Sequence, residues 1–236
     1  MWNNKRKAIT FSYDDGVLQD RRLIKLLNKY GLRATFNINS GLLSQPGRLV
    51  RGGISVAHCK WLPEEINRIY PPHEVAGHTV THPTLTKVED DAEVIRQVEE
   101  DRLALEKITG APVVGMAYPG GGVNHDLRVA NLIRENTGMQ YARTTACTGS
   151  FALPEDKMLL HPTAFHLDFD ILYDLADKFF ADTSDEPLLF YIWGHAYEFD
   201  IDDTWEEFEK FCAYISGHDD VFYGTNKEVL LDICEC

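Results

Sequence analysis

The stretch "TFSYDDG", Thr10 to Gly16, alternates apolar and small polar residues and then ends in two aspartates and a glycine. It reads as a strand whose tip carries two adjacent carboxylates. Taken alone, Asp14-Asp15-Gly16 is an ordinary turn, and two neighbouring negative charges repel each other. The surrounding chain gives the pair its meaning. "KAITFSY" is followed by a helical stretch from Val17 to Tyr30 that Gly31 closes, and then by the strand "LRATFNI". A looser section from Ser40 to Trp61, a short helix near Pro63 to Tyr70 and the strand "HEVAGH" come next. Further strands are expected at "PVVGMAY", "MQYART", "KMLLHPT", "LLFYIWG" and "VFYGT". Between them lie helical patterns at about 88–109, 124–135, 169–180 and 204–216, and a short helix closes the chain.

Strands alternating with helices of this length predict βαβ units and a parallel sheet. Seven or eight such units favour closure, so the expected fold is α/β, a distorted (β/α)7-8 barrel. No internal repeat or linker divides the sequence, and residues 1-236 read as one catalytic domain. In such barrels the chemistry collects at the C-terminal ends of the strands. That rule selects Asp14, Asp15, His78, Tyr118, Pro119, Arg143, His161 and His195.

Composition narrows the partners. With 44% hydrophobic and 25% charged residues the chain can bury a full core. Its net charge of −14 argues against nucleic acid and against an anionic membrane surface, both of which need a basic footprint. "MWNNKRKAITF" lacks the apolar core of a signal peptide, and no apolar run is long enough to span a bilayer. Cys59, Cys147, Cys212, Cys234 and Cys236 are odd in number and form no CxxC pair, so a reduced, cytoplasmic protein is expected.

"GHTVTHP" sets His78 and His82 four apart, a spacing that one helical turn would bring onto one face to share a metal. Thr79, Val80 and Thr81 between them are not bases, so a further ligand and a base must come from elsewhere. Asp15 would complete a two-histidine, one-carboxylate site, and the metal would relieve the repulsion with Asp14. Asp14 would then take a proton from a water at the metal. Gly16 would let both side chains face the site. His195, ending the apolar strand in "YIWGHAYEF", is the candidate general acid, with Glu198 to hold its ring. The turn in "MAYPGGG" offers the Tyr118 amide as an oxyanion donor, and Gly120 to Gly122 as a wall of the groove.

These segments, in this order, resemble the polysaccharide deacetylases of carbohydrate esterase family 4. "TFSYDDG" is similar to the family's first motif, "HTVTH" to its second, "AYPGG" to a variant of its third, and "WGH" to its fifth. The resemblance implies a distorted barrel and one divalent metal, usually zinc, on Asp15, His78 and His82. It further implies Asp14 as base, His195 as acid, and removal of acetyl groups from N- or O-acetylated sugars or polysaccharides. Two departures stand out. Ala117 occupies the place of the third motif's arginine, and the fourth motif has no clear counterpart. Arg143 is the expected substitute partner of Asp14, Glu198 the substitute for the missing aspartate, and His161 is held in reserve. Three other readings remain open: hydrolysis of a non-sugar amide or ureide on the same scaffold, a non-catalytic carbohydrate-binding barrel, and an iron oxygenase with the same ligand triad. The last fits poorly with an alternating β/α pattern.

Overall fold

A computed structural model describes residues 1–232, so Cys234 and Cys236 lie outside the described residues. The strands are β1 (Lys7–Asp14), β2 (Ala34–Ile38), β3 (Arg48–Arg51), β4 (Ile54–Ala57), β5 (Glu74–Gly77), β6 (Gly115–Ala117), β7 (Tyr141–Arg143), β8 (Ala164–Phe165), β9 (Leu188–Gly194) and β10 (Val221–Tyr223). The α-helices are α1 (Asp20–Lys29), α2 (Ile66–Ile69), α3 (Asp91–Thr109) and α4 (Leu127–Asn136). They continue with α5 (Phe169–Ala181), α6 (Glu198–Ile201), α7 (Trp205–Ile215) and α8 (Asn226–Leu230). Helix boundaries follow local chemistry. The Asp90 side chain caps α3 by accepting from the Ala92 N–H, and Gly110 ends it in the left-handed region at φ 69°.

Eight strands form one curled sheet in the order β7-β6-β5-β2-β1-β9-β8, with β10 pairing β1 as well, and every pairing in it is parallel. This is the expected distorted (β/α) barrel, left open between β7 and β8. An isolated bridge from Arg143 to Leu160 partly fills that gap. The expected strand at "KMLLHPT" is absent: Lys157–Leu159 form a 3-10 turn, and the strand itself comes later, at Ala164.

Alternation in β1 explains the layers. All eight of its residues are buried. Phe11 and Tyr13 point outward, where both rings pack edge-on against Phe208 of α7. Thr10, Ser12 and Asp14 point into the barrel, where Thr10 bonds Asn226 and Ser12 accepts from Asn37. A strand buried on both faces thus alternates between an apolar layer under the helices and a polar barrel interior. Helix α8 stoppers the lower end, where the Trp2 indole donates to the Val229 carbonyl at 3.0 Å. The loose section after β2 carries the antiparallel hairpin β3–β4, a separate two-stranded sheet.

Candidate active site

Asp14 is the last residue of β1 and its side chain enters the barrel mouth. Strand geometry would turn Asp15 to the other face. It faces the same cleft because its own backbone is left-handed (φ 82°), as is that of Gly16 (φ 58°). Glycine alone was expected to supply the turn, yet a non-glycine residue also bears the strain. The Lys60 ammonium holds that backbone by donating to the Asp15 carbonyl at 2.6 Å. At Gly16 an added Cβ would come within 3.1 Å of Ile38.

His78 follows directly on β5. Its N–H donates to Asp101 Oδ2 (2.9 Å), and the Asn39 amide donates to the carbonyls of His78 and Thr79. The helical turn expected for the histidine pair does not form. Thr79 and His82 are left-handed (φ 67° and 61°), and the His82 N–H donates to Thr79 Oγ1. A tight loop, not a helix face, brings the two rings to 4.8 Å between centroids. The spacing was informative and the reason expected for it was not.

Asp15, His78 and His82 each offer one ligand atom, and these atoms lie within 4.8 Å of one another. Nδ1 of His78 donates to the Ala117 carbonyl at 2.8 Å, which turns the lone pair of Nε2 toward the cleft. Nε2 is buried and meets no hydrogen-bond partner among the described residues. Burial pulls this imidazole down to about 4, aided by His82 and only partly opposed by Asp14, so it is neutral, as a metal ligand must be. One carboxylate and two imidazoles suit a divalent cation such as zinc.

Arg143, at the end of β7, is fully buried and grips Asp14, with its Nη2 against both carboxylate oxygens. The Asn37 amide adds a third bond to Oδ1 at 2.8 Å. Burial would raise the pKa of Asp14, but the charges of Arg143, His78 and His195 overcome it and hold the group below the usual carboxylate range. The guanidinium also lies over the Trp193 ring at 4.6 Å. Arg143 thus stands where the sequence lacked an arginine, reaching Asp14 from a different strand.

His195 follows β9, with Nε2 3.9 Å from Asp14 Oδ2. Its Nδ1 and its backbone N–H both contact Glu198 Oε2, at 3.0 and 3.1 Å. Burial alone would lower its pKa, but the Glu198 hydrogen bond and the charges of Glu198, Asp14 and Asp15 raise it above the usual histidine value. Glu198 is itself kept well below the usual range by His166 and His195, despite burial.

Three expectations need correction. The Tyr118 N–H is not free for an oxyanion: it donates to the Arg143 carbonyl at 2.9 Å, and the phenol donates to Met158 O. Pro119 is buried, whereas Gly120 and Gly121 line the cleft. His161 does not face the site. It bonds Thr144 at 2.7 Å and lines a separate cavity of about 390 Å³. The supporting histidine is His166, fully buried, whose Nε2 lies 2.9 Å from Glu198 Oε2. Its cue is Gly194, where a Cβ would sit 2.1 Å from the His166 ring. His58 and Lys60, both against Asp15, were also missed. They come from the section whose shape periodicity did not give.

The cleft encloses about 260 Å³ and is lined by Asp14, Asp15, His78, His82, Tyr118, Gly120, Gly121, Thr145, Trp193, His195 and Tyr197. The chain is 29% identical over 122 residues to a chitooligosaccharide deacetylase of Rhizobium leguminosarum bv. phaseoli, covering 51% of this chain and 43% of that protein. It therefore spans less than half the length of this relative. In fold it is similar to a probable polysaccharide deacetylase from Pseudomonas aeruginosa PAO1 (TM-score 0.71, 15% identity, 97% and 91% of the two chains). It is similar also to an allantoinase (TM-score 0.70, 14% identity, 96% and 89%). The family model described as polysaccharide deacetylase matches residues 2–142, from before β1 to β7, and the chain belongs to that family.

Proposed function

We propose that this protein is a metal-dependent hydrolase that removes acetyl groups from N- or O-acetylated carbohydrate. The observation that carries the reading is the meeting in one cleft of an Asp-His-His donor set with two separately tuned groups, Asp14 and His195. Asp15, His78 and His82 would hold one divalent cation, which supplies Lewis-acid polarisation and lowers the pKa of a water to about 7 when the ion is zinc. Asp14, kept ionised by Arg143, takes a proton from the attacking water as its oxygen adds to the acetyl carbon. The N–H groups of Gly120 and Gly121, which meet no acceptor among the described residues, are the donors left for the developing oxyanion. His195, protonated by virtue of Glu198, gives its proton to the departing amine or alcohol as the bond to the acetyl carbon breaks. Acetate and the deacetylated sugar are the products.

A second reading keeps the machinery and changes the substrate. A cleft of about 260 Å³ is small for a ligand pocket, and it suits a compact amide or ureide as well as one acetamido group. One experiment separates the readings. Purified protein is assayed for bound metal and for acetate release from N- and O-acetylated sugars, with linear and cyclic ureides in parallel. About one zinc per chain, acetate release, and loss of that release on chelation support the first reading. Metal with ureide turnover and no acetate selects the second, and failure to bind zinc sinks the site.

A further inference from the structure

The hairpin β3–β4 is mostly exposed, belongs to its own small sheet and lends no side chain to the cleft lining. It nevertheless reaches both carboxylates on which the proposed machinery depends. His58 directly follows β4. Its N–H donates to the Gly47 carbonyl at 2.8 Å, and its ring stands edge-on to Tyr197 at 4.9 Å. That fixed ring puts Nε2 3.2 Å from Asp15 Oδ2, while Oδ1 of the same carboxylate lies 3.7 Å from His82 Nε2. Arg51, the last residue of β3, donates to Glu198 Oε1 at 3.0 Å and to Asp202 Oδ2 at 2.6 Å. The other Glu198 oxygen accepts from both His166 and His195.

Exposed ion pairs usually contribute little. The contacts of His58 and Arg51 differ because the carboxylate side chains they meet are nearly buried, 9% exposed in Asp15 and 6% in Glu198. A carboxylate also rotates easily about its last bond, so a partner on one oxygen decides where the other points. We propose that the β3–β4 hairpin is a two-armed clamp. His58 holds the outer oxygen of Asp15 so that the inner one faces His82, and Arg51 holds Glu198 so that its second oxygen stays on His195. Both are positioning residues, neither touching the reacting atoms. The inference rests on the metal and acid assignments made above.

The test measures zinc affinity of the full chain by competition with a chromogenic chelator, and acetate release on the best sugar of the panel. His58→Phe keeps the ring packed against Tyr197 but removes the nitrogen, and is expected to weaken zinc binding by about 10- to 100-fold. His58→Gln, which retains a donor, recovers part of that loss. Arg51→Ala leaves zinc affinity unchanged and lowers kcat about three- to tenfold at constant KM, with partial rescue in Arg51→Lys. A His58→Phe protein that binds zinc as tightly as the parent overturns the clamp, and so does an Arg51→Ala effect on KM alone. A parent that binds no zinc overturns the metal assignment and this inference with it. A parent that binds zinc but releases no acetate overturns the deacetylase reading, while the zinc titration of His58→Phe still decides the clamp.

Discussion

Replacing Arg143 by methionine tests the arrangement most severely. The guanidinium is fully buried, touches both oxygens of Asp14 and lies against Trp193. Methionine fills much of the volume but leaves Asp14, itself 2% exposed, as a buried charge without its cation. Breaking a buried pair from one side costs about 3–5 kcal/mol, against a total stability of about 5–15 kcal/mol. For a chain of this length that is a melting temperature lower by roughly 6–20 °C. Removing both charges, in Arg143→Met with Asp14→Asn, restores most of the loss, because a buried pair replaced as a whole is nearly neutral. The pH dependence has a definite sign. Asp14 has a depressed folded pKa, so its pairing stabilises the fold above the ordinary aspartate value of about 3.9 and is lost as pH falls through the folded value. The stability gap between parent and Arg143→Met is therefore full at neutral pH and closes in acid. Without Arg143, burial raises the pKa of Asp14, and the acid limb of kcat/KM moves to higher pH. Scanning calorimetry of the four proteins of the cycle, with a pH–rate profile of the parent and Arg143→Met, measures both effects. A single variant melting within about 2 °C of the parent, or a double variant no more stable than the single, refutes the reasoning.

Three shorter tests bear on the remaining groups. Asp14→Asn is expected to cut acetate release by about 10²- to 10⁴-fold while the protein still binds zinc; release at the parental rate would remove Asp14 from the role of base. His195 has a raised folded pKa, so its stabilising contact with Glu198 is complete below the ordinary histidine value of about 6.5 and is lost as pH rises through the folded value. Glu198→Gln should accordingly shift the alkaline limb of the pH–rate profile to lower pH, and an unmoved limb would disconnect the two groups. Gly194→Ala drives a methyl group to 2.1 Å from the His166 ring, and urea denaturation should register a loss of about 1–3 kcal/mol.

What the sequence disclosed and what it withheld have physical reasons. Alternation in "KAITFSY" and the run "LLFYIWG" located strands that are buried on both faces, and the strand-end rule then delivered Asp14, His78, Arg143 and His195. Local spacing was a weaker guide. It recognised His78 and His82 as a pair but assigned a helix, because nothing in "HTVTH" announces left-handed backbone at Thr79 and His82. The Tyr118 amide failed for a related reason: a parallel neighbour, β7, claims it, and such pairing cannot be read from one strand alone. His166 lost to His161 because what separates them is the direction of a two-residue strand. The hairpin from Arg48 to Ala57 is mostly exposed although it carries Leu49, Val50, Ile54 and Val56, and with Leu49 and Val50 adjacent it lacks the sustained alternation that marks a half-buried strand.

The position of β1 in the sheet sets the order in which the site can be assembled. Its upper half pairs with β2, only some twenty residues away in sequence, while its other edge runs along β9, from Lys7–Leu188 to Tyr13–Gly194. Asp15, His78 and His82 all come from the first 82 residues, and β1-β2-β5 pairing brings the ends of their strands together, with Asp101 and Ala117 then fixing His78. Arg143 follows through the stepwise pairing of β5, β6 and β7, whereas His195 joins only when β9 pairs with β1 across most of the chain, an entropic cost that grows slowly with length but delays the event. A chain emerging from the ribosome therefore exposes one edge of its central strand through most of synthesis. The half of the cleft proposed to bind the cation thus comes earlier in the chain than the half proposed to donate the proton, and the proposed chemistry would be complete only once β9 is in place.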